Sequence, residues 1–306
     1  MNLGIDKKRL KITVGIPTYR RLDKIPKTLD KILSCNPQPE EIIIHVDGND
    51  FETKAVLQEK YPTVKILTSE TNLGPGGGRN RILEAASHPI VASFDDDSYP
   101  IDTDYFARLI DLFEQFPEAA VIHAAIFHQN ETIKSDHKQA SWVADFIGCG
   151  CAYRRDVFLE TTGYIPLRFA YGMEEVDLSL RLHHLGWKIL YSPWLRVFHN
   201  TELEHHGHSK ITAASISNQA LLAYLRYPVK LWGLGLAQVC SRVLWLIQHQ
   251  RFRGIFSGLT AIPKALWNHR SRRQTVSDKS VQSFLEIRRN NFAVFFPIRS
   301  SETKLL

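Results

Sequence analysis

PIVASFDDDSYP, residues 89–100, is the stretch on which the reading of this chain turns. Its first half is apolar and β-branched, the pattern of a short buried strand ending at Phe94. Three carboxylates, Asp95, Asp96 and Asp97, follow without a break. Like charges side by side repel one another unless cations hold them. A strand closing on such a cluster predicts a sheet edge that gathers a charged ligand.

Working outward, the same strand pattern recurs at KITVGIPT (11–18), EIIIHVD (41–47) and VKILT (64–68). Helical patterns lie between these runs: Leu22 to Leu33, Phe51 to Tyr61 and Arg79 to Ser87. Strands alternating with helices of this length predict an α/β fold, a mostly parallel sheet flanked by helices. Ligands of such sheets bind outside the carboxyl ends of the strands. The strand ends here are Pro17-Thr18-Tyr19, Asp47-Gly48-Asn49-Asp50 and the three aspartates.

The net charge of +6 over 306 residues conceals a division. Residues 1–204 carry 23 Lys/Arg against 29 Asp/Glu, a balance of −6, whereas residues 205–306 carry 15 against 3, a balance of +12. That change predicts a functional or domain boundary near residue 204, with an acidic unit over 1–204 and a basic amphipathic helical region over 205–306. The N-terminal MNLGIDKKRLK holds no apolar signal core, and the four cysteines show no zinc-like spacing. A cytoplasmic protein with reduced thiols is the expectation.

NLGPGGGRN (72–80) is glycine-rich and precedes a helix, yet it lacks both the Lys-Ser/Thr ending of a P-loop and the G-x-G-x-x-G spacing. Backbone N–H groups at a helix start, with Arg79 close by, still suit contact with phosphate; a turn needing positive φ is the alternative. For the aspartates, strand-end carboxylates suit Mg²⁺ or Mn²⁺, a metal completed by substrate phosphates and water. A solvated acidic turn capping the next helix is the simpler alternative.

IPTYRR (16–21), HVDGND (45–50), NLGPGGGRN, SFDDDSYP (93–100) and YGMEEVDLSLRLHHLGWK (171–188) occur in one order. Together they resemble family 2 glycosyltransferases, which have the GT-A fold, over roughly residues 10 to 200. The resemblance implies transfer of a sugar from a nucleotide-diphosphate sugar to a hydroxyl of a glycan or lipid-linked acceptor. It makes Pro17, Thr18, Tyr19 and Asp47 the nucleotide-base pocket, with Arg20, Asn72, Gly74, Arg79 and Glu174 also on the donor side. Asp95 and Asp97 become metal-binding carboxylates, with Asp96 near the ribose or donor sugar. The spelling does not say which of the three touches metal.

Glu174 and Glu175 open a helical pattern whose dipole favours ionised carboxylates in its first turn. An ionised carboxylate there can serve as general base, and direct displacement then inverts the anomeric carbon. The family places its base at the second acid of Glu-Asp; here that residue is Glu175, one methylene longer, with Asp177 as the other candidate. His199, 24 residues after Glu175, stands where some relatives place a metal-binding histidine. Trp142, beside the GCGC turn (148–151), offers a face for a sugar ring or a plain core residue. The HHGHS cluster of His205, His206 and His208 reads as a phosphate-facing loop rather than a zinc site, since no cysteine accompanies it.

The last third is apolar but interrupted. Lys230, Gln238 and Arg242 break the run from 227 to 250, which makes a poor spanning helix and a good interfacial one. Trp232, Trp245 and Trp267 among basic residues suit the headgroup level of an anionic bilayer. A helical layer packed on the catalytic unit is the alternative, and nucleic acid is disfavoured because the aromatics lie in amphipathic runs. The expectation is a peripheral protein on the cytoplasmic face of the membrane. Two other classes stay in view: a nucleotidyltransferase, and a non-catalytic sugar-nucleotide or membrane-binding module.

Overall fold

The computed structural model describes residues 10–167, 169–201 and 208–290, together with the backbone of 292–294. The chain opens as β1 (Ile12–Thr18), α1 (Ile25–Leu33), β2 (Glu41–Val46), α2 (Phe51–Lys60), β3 (Lys65–Thr68), α3 (Gly74–Ala85) and β4 (Ile90–Ser93). These four strands pair parallel in the order β4-β1-β2-β3. β1 is buried at every position because it has strands on both sides and helices on both faces. All four strands end at one edge, as expected.

The rest of the sheet is mixed. β5 (Ser98–Pro100), α4 (Tyr105–Gln115), β6 (Ala119–His128), β7 (Ala140–Val143) and β8 (Cys151–Arg154) follow, then α5 (Arg155–Leu159), α6 (Glu174–His184) and β9 (Lys188–His199). β8 joins β4 to β6 by antiparallel pairing, and β6 runs parallel to β9. The short β5 pairs antiparallel with β9 so that Ser98 stands opposite His199. That pairing carries a histidine from the far end of the unit to the acidic cluster.

Two apolar cores sandwich the sheet. Val14, Ile16 and Ile44 face Ile25 and Leu29 of α1 and Phe106, Leu109 and Phe113 of α4. On the other face Ile43 and Val91 meet Ile82 and Leu83 of α3, Phe158 of α5, and Leu178 and Leu182 of α6. Helix α3 begins five residues before the predicted Arg79, at Gly74, and absorbs the glycine run. A Cβ on Gly78 would stand 2.9 Å from that of Pro17, and one on Gly76 would stand 3.0 Å from that of Tyr164. The glycines of the helix interior serve close packing, which sequence reading took for a phosphate loop.

Among the described residues four α-helices follow: α7 (Ser209–Arg226), α8 (Trp232–Gln248), α9 (Ile255–His269) and α10 (Asp278–Arg289), with β10 (Phe292–Val294) on the edge beside β7. α7 packs Leu221, Leu222 and Leu225 against Ile165 and Met173. α10 packs Val281 and Phe284 against Ala144 and Leu180. α8 and α9 bury little, and among the described residues no helix is long and apolar enough to cross a membrane.

Candidate active site

A cavity of about 470 Å³ opens at the carboxyl edge of the sheet. Pro17, Thr18 and Tyr19 reach it from the end of β1, Asp47 from β2, and Asn72 and Gly74 from the start of α3. Asp95, Asp96 and Asp97 come from the end of β4, and His199 from the end of β9. Residues 182 positions apart in sequence (199 minus 17) thus share one wall.

Each aspartate has its own environment. Asp96 accepts from the Thr18 hydroxyl at 2.8 Å, and burial pushes its carboxyl up to about 7 against the pull of Arg21. Asp97 accepts from Arg21 Nη2 at 2.6 Å and lies 3.1 Å from His199 Nε2. Burial alone would raise its carboxyl, but these two partners hold it below the usual range. Asp95 bonds Arg79, and its other oxygen lies 4.0 Å from His199 Nε2. The Ser98 hydroxyl accepts from the Asp95 N–H at 2.7 Å, closing the turn that fans the three side chains apart. The His199 imidazole, lowered by burial, is carried upward overall by the hydrogen bond to Asp97 and the surrounding carboxylates.

The donor set fits a divalent cation. Asp95, Cys149 and His199 present possible ligand atoms within 4.8 Å of one another. Burial keeps the Cys149 thiol protonated, so one imidazole nitrogen stands beside carboxylate oxygens, and it is those oxygens that suit Mn²⁺ or Mg²⁺.

Asp47 spends most of its carboxylate inside the protein. It accepts from Ser69 Oγ at 2.6 Å, from Leu73 N at 2.9 Å and from Gly74 N at 3.0 Å. It thereby ties the strand end to the loop that starts α3, and with Leu73 N at 2.9 Å from both oxygens its acceptor sites are largely taken within the protein. Gly74 takes φ +74°, and Asn72 Oδ1 also accepts from its N–H at 3.0 Å.

Arg79 does not point into the cavity. Its guanidinium is buried between Asp95, Glu174 Oε1 at 2.9 Å and Ser93 Oγ at 3.1 Å. It is an internal tie between the aspartate turn and the first turn of α6, not the phosphate contact expected from sequence. Arg21, which the sequence did not single out, is the guanidinium that lines the cavity among the described residues. The doubled arginine of IPTYRR was its only signal, because the spelling does not say which of the two turns inward. Arg20 instead takes φ +54°, donates its N–H to Asp50 Oδ2 at 2.7 Å and lies over the Tyr19 ring.

Glu174 and Glu175 share the first turn of α6. Burial and the neighbouring Glu175 raise the Glu174 carboxyl to about 8 against the pull of Arg79. Glu175 is also raised, by burial first. It lies against the turn at Gly148–Gly150, where a Cβ on Gly148 would stand 2.7 Å from Glu175 Oε1. Any larger residue there would displace the carboxylate.

Two sequence expectations fail on position. Asp177 is buried, with Arg181 at 2.8 Å on one oxygen and Arg226 at 2.5 Å on the other. A carboxylate held by two guanidinium groups in the interior has no access to a substrate hydroxyl, so its role is structural. Trp142 packs edge-on against Phe116 at 5.8 Å, beneath Lys188, and belongs to the core margin. His205 and His206 lie outside the described residues; His208 caps α7, accepting from Lys210 N at 3.3 Å.

The sheet and its acidic edge define the class, and similarity to known proteins agrees. A family model described as Glycosyl transferase family 2 matches residues 13–169, just over half of the chain. The chain therefore belongs to glycosyltransferase family 2. It is 24% identical over 217 residues to a glucosyl-dolichyl phosphate glucuronosyltransferase of Haloferax volcanii, covering 62% of this chain and 69% of that one. It is 23% identical over 242 residues to an N-acetylglucosaminyl-diphospho-decaprenol L-rhamnosyltransferase of Mycobacterium tuberculosis, covering 63% and 75%. A crystal structure holding UDP, GalNAc and Mn²⁺ superposes with a TM-score of 0.58 at 15% identity, over 73% of this chain. The chain spans about half the length of that protein, 49%, and the likeness is one of GT-A fold.

Proposed function

We propose that this chain is an inverting glycosyltransferase that moves a sugar from a nucleoside-diphosphate sugar to a hydroxyl of a lipid-linked acceptor, in polysaccharide, lipopolysaccharide or glycolipid assembly. The observation that carries the reading is the buried Arg79, which ties Asp95 of the acidic edge to Glu174, the neighbour of Glu175. The groups needed at the departing diphosphate and at the attacking hydroxyl thus belong to one rigid unit.

On this reading Pro17, Thr18, Tyr19 and Asp47 take the base, and Asp96 takes the ribose or donor sugar. Asp95 or Asp97 with His199 would hold a divalent cation, Mn²⁺ or Mg²⁺, which supplies positive charge for the leaving diphosphate when bound. Arg21 adds a second positive group in the cavity and releases Asp97 as ligands arrive. Glu175 removes the proton of the acceptor hydroxyl. Its raised carboxyl is a stronger base than an exposed glutamate, and direct displacement of the diphosphate by that hydroxyl inverts the anomeric carbon.

Residues 1–204 form the catalytic unit in this proposal, and the basic region 205–306 rests on an anionic membrane at the cytoplasmic face. The names of both relatives include a polyprenyl-type lipid phosphate, which supports a lipid-linked acceptor. The test is a thermal-shift screen of nucleoside diphosphates and their sugars with Mn²⁺, Mg²⁺ or EDTA. A ligand that binds only the folded state raises its stability. A metal-dependent shift with one nucleotide class is expected; no shift with any of them would return the aspartates to an acidic turn.

A further inference from the structure

A second, larger cavity, of about 700 Å³, lies between α7 and α9. Its floor is small, because α9 lies close on α7: a Cβ on Gly258 would stand 2.8 Å from the Ala213 carbonyl oxygen. Ala213 and Ala261 face the resulting trough, and Lys210 and Lys264 stand in its walls. No carboxylate lines it among the described residues. Leu167 and Phe169 add an apolar part to a wall otherwise carrying serine and asparagine side chains, and Phe169 also lines the cavity at the sheet edge. Asn218 of α7 fixes that shared wall, donating to the Phe169 carbonyl at 2.8 Å and to the Tyr171 carbonyl at 3.2 Å.

The two cavities are therefore neighbours of opposite character, one acidic and one basic, with Phe169 lining both. On the adjacent face of α9, Phe256 is 80% exposed and Trp267 66% exposed, an apolar surface beside the lysines. An anion with an apolar chain matches this arrangement: lysines for phosphate, and α9 for the hydrocarbon.

We infer that the α7–α9 groove holds the phosphate of the acceptor lipid, so that the sugar it carries passes Phe169 toward the donor cleft. The inference rests on the glycosyltransferase reading above and names the acceptor subsite of that same enzyme. Lys210 and Lys264 bind the phosphate oxygens, and the small floor lets the isoprenyl chain lie along the helices. A bulk phospholipid headgroup carries the same phosphate chemistry, so the experiment separates the two sources.

The full chain in detergent is titrated with farnesyl diphosphate, farnesol, inorganic pyrophosphate and dihexanoylphosphatidylglycerol, followed by tryptophan fluorescence. Mn²⁺ and the most strongly stabilising nucleoside diphosphate are present to occupy the donor cleft. Farnesyl diphosphate binds at least about tenfold more tightly than the other three. Lys210→Glu combined with Lys264→Glu weakens it by about tenfold or more. Both side chains are exposed, and the nucleotide-dependent thermal shift of the variant stays at the wild-type value. Unchanged affinity in the variant overturns the inference, as does displacement of farnesyl diphosphate by nucleotide. Equal binding of farnesol or of the phosphatidylglycerol overturns it too, by assigning the groove to hydrocarbon alone or to membrane headgroups. A missing nucleotide shift counts instead against the donor reading, and the farnesyl diphosphate titration without nucleotide still reads the groove.

Discussion

At the sheet edge, Asp95, Asp96 and Asp97 each meet a donor within the protein: Arg79, Thr18, and Arg21 with His199. On α8 and α9 there is no carboxylate at all, and Leu236, Leu244, Phe256 and Trp267 stand well exposed. The acidic cleft therefore has its charges arranged before any ligand arrives, and a ligand has only to exchange partners there. Of the cations on these helices, Arg242 donates to Ser215 Oγ at 3.2 Å and lies over the Trp245 ring, whereas Lys264 stands exposed. Pairing inside favours fixed geometry, which chemistry needs; unpaired charge over apolar surface favours an interface. α7 belongs to neither extreme, because one of its faces is core while the other borders the basic groove.

The sharpest way to break this contrast is at Glu175. Glu175→Gln removes the proposed base and should lower turnover by about 10²–10⁴-fold, while the metal-dependent nucleotide shift is retained. Steady-state transfer assays beside thermal shifts check this. Loss of both together would mean that the cleft does not separate binding from chemistry.

Next in size is the tie between the two regions. Arg226, 1% exposed, joins α7 to Asp177 of α6 and donates to the carbonyls of Arg272 and Gln274 at 3.2 Å. Arg226→Met leaves Asp177 buried with one partner fewer, a loss expected to cost roughly 3–5 kcal/mol in denaturant unfolding. A cost below about 1 kcal/mol, the range of exposed pairs, would make α7 a loosely applied layer.

The outer helices should respond more weakly and to a different readout. Arg253→Ala is expected to weaken sedimentation with anionic vesicles by about 1 kcal/mol, with no change in the nucleotide shift. Vesicle binding unaffected by this change and by added salt would remove the membrane from the contrast.

The smallest expected effect is a pH slope. Burial lifts the Glu174 carboxyl to about 8, above its value in the unfolded chain, so the fold favours its neutral form. Its contribution is complete below the ordinary carboxylate range and is lost as pH rises through about 8. Melting temperature should therefore decline over that window in the wild type and decline less in Glu174→Gln. Parallel profiles would assign the slope to another group.

Much of the fold was legible. β1 to β4 were readable within a residue or so at each end; β1, β2 and β4 are buried and written as near-unbroken apolar runs, while the half-exposed edge strand β3 was marked by the short KILT run. The acidic edge was readable for a related reason: three consecutive carboxylates after such a run have no packing explanation. What misled was chemistry that looks alike at the level of spelling. Arg79 beside glycines reads as a phosphate contact, yet it is the buried partner of Asp95 and Glu174. Asp177 in a helix first turn reads as a base candidate, yet Arg226, 49 residues away, takes it into the interior. Trp142 reads as a sugar platform and packs on Phe116.

The sequence by itself determined the alternation of strands and helices, the edge on which the ligand groups gather, and the break in charge near residue 204. Those follow from local periodicity and composition, which act over a few residues. Only the tertiary structure decided which charges face the cavity and which neutralise one another. Arg21 rather than Arg20 at the cavity, Asp177 between Arg181 and Arg226, and His199 beside Asp97 are placements among like groups. Each is settled by which partner lies within about 3 Å, a distance set by strand register and helix packing that no local pattern encodes.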